Sequence, residues 1–212
     1  YDDVEINPLI HYALYGIDEN RQIKVANEDL ANFNDLNKVN ILFVLHEKIG
    51  TIGGTGFTNL DIINSLDKKF QAFILTSDGE DIELWKSDKK KKKIANFNYH
   101  PKEYEFLDSN LASIYEEILS KLDIKVIQIN HLINHTFDLV EIANKKEIPY
   151  ITSIHDFYYI CPSIHLINEN YSYCEFKCNN CKFENILKDW QKHGFKLLEN
   201  AYLNIVPSDS VI

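Results

Sequence analysis

The chain has 212 residues, 45% hydrophobic and 25% charged, the composition of a globular protein with one full core. Its formal net charge of -10 argues against nucleic acid as the main partner, because phosphate binding needs a basic surface. No apolar run approaches the roughly 20 residues of a membrane span, and the acidic, mixed amino-terminal stretch shows no signal peptide.

In chain order, residues 1–37 read as a short helical leader and a linker. Pro8 opens a helix, Ile10, Ala13 and Leu14 share one face, and Gly16 is a natural stop. The linker, from residue 25, is rich in Asn and Asp. From Val39 the text changes to apolar runs of strand length alternating with helical spacing. Residues 39–45 form a first strand, and a glycine-rich loop and a helix through Leu60, Ile63 and Leu66 follow. Residues 70–76 are a second strand, with a short extra strand at 82–85. The lysine run 89–93 reads as a solvated loop. Leu107, Leu111, Ile114, Ile118 and Leu122 repeat at three and four, an amphipathic helix. Residues 124–129 form a strand, 137–143 a helix, 148–154 a strand, and the region of Ile186, Trp190 and Leu197 a last helix before a strand at 203–206. Alternating strands and helices predict an α/β fold: a Rossmann-like doubly wound parallel sheet over residues 38–212, with a Cys-rich loop. The sequence starts at Tyr1 without Met and stops just after a strand, so it reads as a piece of a longer protein.

The loop after the first strand holds Gly50, Gly53, Gly54 and Gly56 within seven residues. Glycines there allow a tight turn, and free N–H groups at the helix start favour an anion such as diphosphate. Gly53, Gly54, Thr55 and Gly56 are therefore the expected ligand-binding residues. The third glycine of the dinucleotide fingerprint is missing, since Asn59 stands in its place, but Asp78 lies where a ribose-binding acid would sit.

His155 and Asp156 follow the strand at 148–154, and His46 and His131 end two other strands in the same way. Polar groups past the carboxyl ends of parallel strands lie where ligands bind. Imidazole exchanges protons near neutrality, so His155 and Asp156 are the candidate catalytic pair, with His46 and His131 as substrate-binding groups. His11, His100, His135 and His193 carry no comparable positional argument. All four cysteines, Cys161, Cys174, Cys178 and Cys181, fall in one segment at C-x12-C-x3-C-x2-C. Cys178 and Cys181 have the spacing of one half of a structural zinc site. Cys161 and Cys174 are wide for the other half, with His165 an alternative ligand. Zinc, reduced thiols and disulfides all remain open on spacing alone.

From Val39 onward the chain resembles the amino-terminal, acceptor-side domain of family 4 glycosyltransferases, one half of a GT-B fold. The glycine loop, the strand ending in His155-Asp156, Cys161-Pro162, the cysteine triplet and Val206-Pro207-Ser208 carry the resemblance. The leader segment Asn7-Pro8-Leu9-Ile10-His11-Tyr12 with Tyr15-Gly16 and Arg21 fits it more loosely. The resemblance implies a bacterial, retaining transferase of polysaccharide biosynthesis, moving a sugar from a nucleotide-sugar to a glycan or lipid-linked acceptor hydroxyl. It would be cytoplasmic or at the inner face of the membrane, with no cofactor required for chemistry. His155 would contact the transferred sugar and the glycine loop the donor diphosphate. Most donor-binding residues would belong to a carboxyl-terminal domain absent from this sequence. The competing expectations are an NAD(P)-dependent oxidoreductase or epimerase domain, resting on Asp78, and a zinc-stapled interaction module without chemistry.

Overall fold

The computed structural model describes residues 29–49, 54–87, 91–168, 170–178 and 181–206, with only the backbone of 54 and 55. The predicted leader helix lies outside the described residues. The chain is an α/β fold in which one mixed seven-stranded sheet carries four α-helices among the described residues. A 3₁₀ turn at Leu30–Phe33 leads into β1 (Val39–Leu45), α1 (Gly54–Ser65), β2 (Phe70–Ser77), β3 (Ile82–Ser87) and β4 (Lys91–Asn96). The chain continues through α2 (Ser109–Lys121), β5 (Ile124–Ile129), α3 (Asp138–Lys145), β6 (Tyr150–Ser153), α4 (Glu184–Asn200) and β7 (Leu203–Ile205). The sheet order is β4-β3-β2-β1-β5-β6-β7.

The central strands β1 and β2 form where the sequence is apolar on both sides, because both faces are covered. In β1, Leu42 and Val44 join Phe73 and Leu75 of β2 in the larger core, beneath α2, α3 and α4. Phe43 and Leu45 turn to the other face, with Ala72 and Ile74 and with Ile63 of α1. Leu30, 3% exposed, belongs to the larger core, so part of the predicted linker packs with the domain. Asp108 caps α2 by accepting from the N–H groups of Asn110 and Leu111 at 2.8 and 3.3 Å.

The sheet departs from the all-parallel expectation at one edge, where β3 runs antiparallel to β2 and β4 antiparallel to β3. The reason is the connection after β2, only residues 78–81, too short for a crossover. Asp78 closes it by accepting from the N–H groups of Glu80 and Asp81, with Gly79 at φ 91°. The lysine run is likewise corrected. Lys91, Lys92 and Lys93 are exposed residues of edge strand β4 rather than a loop. Lysines on an edge strand discourage pairing with another chain.

β1 pairs in parallel with both β2 and β5, so the chain leaves β1 in one direction and later returns on its other side. This is the switch point of the sheet, where the carboxyl ends of neighbouring strands open toward ligands. His46 and His131 stand just beyond β1 and β5, flanking it.

Candidate polar site at the carboxyl edge of the sheet

Three of the predicted groups come together. The rings of His46 and His131 lie 4.6 Å apart, and His131 Nε2 is 2.9 Å from Asp156 Oδ2. His131 Nδ1 accepts from the Ile133 N–H at 3.0 Å, so the ring proton is on Nε2 and is donated to Asp156. Asp156 also accepts from the Tyr158 N–H at 2.8 Å. Burial alone would raise the Asp156 pKa, but the His131 hydrogen bond and charge and the Tyr158 N–H outweigh it and leave the pKa low. With both nitrogens engaged and the ring buried, His131 is a positioning residue. Asp156, placed by sequence with His155 as a catalytic pair, is instead bonded to His131.

His46 differs. Its Nε2 lies 3.4 Å from Glu47 Oε1, while Nδ1 is buried with no hydrogen-bond partner. Burial first, then the neighbouring His131 and His135, push its pKa down to about 4. At neutral pH it is an uncharged imidazole offering a lone pair. His155 stands exposed at the rim, and its partly desolvated ring and the proximity of His131 lower its pKa too.

The remaining polar groups left no signal in the sequence. Thr76 Oγ1 and Ser77 Oγ at the end of β2, and Asn130 Nδ2 just beyond β5, are also buried without a partner. Buried polar atoms in folded proteins almost always find a partner, so this sheet edge holds hydrogen-bonding capacity that the closed fold leaves unused. His135 is a further unread residue. It donates from Nε2 to the Leu45 carbonyl at 3.0 Å and accepts at Nδ1 from the Tyr115 hydroxyl at 3.2 Å, pinning the end of β1 to α2. Burial pushes its pKa to about 4. Its signal in the sequence was only its closeness to His131.

The glycine loop is less telling than its composition. Gly53 lies outside the described residues, and Gly54 and Thr55 open α1, their side-chain surroundings likewise not described. At Gly56 an added Cβ would meet Glu47 Oε2 at 3.6 Å, ordinary contact. The Glu47 carboxylate thus already faces the amino end of α1, where a diphosphate was expected. Asp78 is no better placed as a ribose ligand, since Lys48 Nζ lies 2.5 Å from its Oδ2 while its Oδ1 holds the turn after β2.

A column of rings supports the site from behind. His131 stacks near Tyr158 at 4.7 Å, and Tyr158 meets Trp190 of α4 edge-on at 5.0 Å. Trp190 Nε1 donates to the Tyr158 carbonyl at 2.7 Å, and the Tyr158 hydroxyl donates to the Leu132 carbonyl at 3.1 Å.

The cysteines lie away from this edge. All four are free, and all four line one cavity of about 380 Å³. His165, offered by sequence as a substitute ligand, is exposed and does not line it. Among the described residues, no three His, Cys, Asp or Glu side chains already stand as a metal-holding group. No helix among them is long and apolar enough to cross a membrane.

No family model matches the chain, and no curated protein matches it. Among solved structures it is similar to a secreted C11 cysteine protease from Bacteroides thetaiotaomicron, "iotapain", with 10% identity and a TM-score of 0.36. That match covers 61% of this chain and 33% of the protease, so the chain spans about a third of the matched protein's length. A likeness this slight carries no argument about chemistry, and no protease role is taken from it. The family 4 resemblance is nevertheless corrected, since the matching structure is a cysteine protease rather than a glycosyltransferase. The expected sugar transfer is withdrawn with it, as are the oxidoreductase and interaction-module alternatives.

Proposed function

We propose that this chain is a Rossmann-like, doubly wound domain that binds a small, neutral, hydroxyl-bearing molecule at the switch point of its sheet. The observation that carries the reading is the set of orphaned polar atoms on His46, Thr76, Ser77 and Asn130, at the ends of three neighbouring strands. They offer an acceptor at His46 Nδ1, a donor at Asn130 Nδ2 and two hydroxyls able to do either. Thr76 and Ser77, successive in β2, are fully buried on opposite faces of the sheet, so a ligand reaches them only when this edge opens. A ligand hydroxyl, itself donor and acceptor, complements such a set. A phosphorylated ligand does not, because Glu47 and Asp156 already place carboxylates at this edge.

His46 serves as a hydrogen-bond acceptor rather than a general base. A base works best with a pKa near the operating pH, whereas His46 is held at about 4. Asp156 fixes the neighbouring His131 ring by their hydrogen bond.

The test is a titration of neutral polyols and monosaccharides, beside their phosphorylated counterparts, followed by the imidazole NMR resonances of the full chain. The neutral compounds should shift the His46 resonances, and His46→Phe should weaken their binding about tenfold, the worth of one hydrogen bond of roughly 1.4 kcal/mol. Binding only by phosphorylated compounds, or binding indifferent to His46→Phe, would sink the reading.

A further inference from the structure

We propose that Cys161, Cys174, Cys178 and Cys181 together bind a structural zinc ion. The wide spacing between Cys161 and Cys174, which made the sequence pattern ambiguous, is closed by the fold. Residues 166–174 turn back on themselves as a small hairpin with an Ile167–Tyr173 bridge. The Cys174 N–H donates to the Leu166 carbonyl at 2.8 Å, and the Ser172 carbonyl accepts from the Asn168 N–H at 2.8 Å. Before the hairpin, the Ile164 N–H donates to the Cys161 carbonyl at 3.0 Å, turning Cys161 toward the same cavity. Twelve intervening residues therefore separate the two thiols in sequence but not in space.

The other two cysteines arrive by tight turns. The Lys177 N–H donates to the Cys174 carbonyl at 2.9 Å and the Cys181 N–H to the Cys178 carbonyl at 3.2 Å. Glu175 and Phe176, between Cys174 and Cys178, both take positive φ, 52° and 55°, as do turn residues elsewhere in the chain such as Asp123 and Glu147. Leu166 and Leu187 form the floor, packed with Cys161, Cys174 and Cys178. Among the described residues the lining has no carboxylate and no histidine, and its four thiols favour a metal that prefers sulfur.

The four thiols line one cavity, but among the described residues no three of them yet stand as a metal-holding group, so binding would have to draw them together. Binding Zn²⁺ displaces four thiol protons to solvent and leaves a centre of net charge -2. Lys182, which lines the same cavity, supplies a compensating positive charge, while Lys177, also in the lining, is paired with Glu175. The ion would tie the hairpin to the turn at 157–161 and to the start of α4, just after Cys181. All four positions being cysteine favours a structural over a catalytic ion, because no ligand position is left open.

The test uses the full chain purified under reducing conditions without added metal. Elemental analysis should find one zinc per chain. The four thiols should resist alkylation until a chelator is added, and cobalt exchange should give the absorption of a tetrahedral tetrathiolate. Cys178→Ser and Cys161→Ser should each lower zinc content, and the thiol-protection assay on the unaltered chain stands even where a variant fails to fold. Substoichiometric metal, four thiols alkylated at once in native protein, disulfides found by mass, or zinc retained in both variants would each overturn the proposal.

Discussion

The two regions rich in titratable groups are built by opposite means. At the carboxyl edge, strand register does the placing. His46 and His131 follow strands that pair directly, and the Asn130 N–H donates to the Val44 carbonyl at 3.0 Å. The polar groups there are positioned whether or not a ligand is present. Among the described residues of the cysteine loop no ladder exists beyond one bridge, and the thiols share a cavity because turns and a hairpin fold the segment onto itself. A site set by a sheet can be specific before it binds, while a site set by loop closure needs its ligand to become rigid.

The comparison breaks first at what the two regions share. Trp190 holds the Tyr158 carbonyl, and Tyr158 lies between the His131 ring and the turn leading to Cys161. Trp190→Ala should cost about 4 kcal/mol in urea unfolding and disturb both regions, seen as altered His46 resonances and lost thiol protection. Gly194, one turn further along α4, is a second shared point. A Cβ there would lie 1.8 Å from the Tyr159 carbonyl oxygen, so Gly194→Ala should cost about 3 kcal/mol. If either variant perturbed only one region, the two would be mechanically independent.

Acid separates the regions. The unfolded chain protonates His46 and His135 as the pH falls below the ordinary histidine value of 6.5, whereas the folded chain resists until about 4. Their contribution is therefore full above pH 6.5 and is lost between 6.5 and 4, on the order of 3 kcal/mol for each. Unfolding free energies measured across that window should fall steeply, and His46→Phe should flatten the slope by about one proton's worth. Asp156 acts lower. Its folded pKa is depressed below 3.8, so its contribution is present above 3.8 and is lost as pH falls further. Asp156→Asn, which leaves a weaker acceptor for His131, should cost about 2 kcal/mol near neutrality and leave zinc content unchanged.

How much of this was legible follows from where the information lies. Strand ends are visible in sequence because apolar runs stop, so His46, His131, His155 and Asp156 could be placed at one sheet edge. Which of them touch could not be read, because that depends on β5 lying beside β1 and on the turn 157–161 bringing Asp156 under His131. Thr76 and Ser77 looked like ordinary strand residues. His135 looked idle because its partners, Tyr115 and the Leu45 carbonyl, are distant in sequence. The antiparallel edge was hidden in a lysine run whose strand character comes only from pairing with β3. The cysteine spacing was misleading in the other direction, since a hairpin can erase a long interval that a spacing rule counts in full.

The smallest effect tests where the cysteine region ends. Tyr171 is 91% exposed at the hairpin tip and takes φ 58°, a conformation that favours glycine. Relieving a left-handed residue gains roughly 1–2 kcal/mol, and the greater freedom of glycine in the unfolded chain returns about 0.5–1. Tyr171→Gly should therefore stabilise the chain by at most about 1.5 kcal/mol, with zinc content unchanged. The tip lies beyond the cavity, whose lining includes Asn170 but not Tyr171. A loss of stability or of metal in this variant would mean that the exposed ring packs on something the cavity needs, and the boundary between hairpin and site would have to move outward to include it.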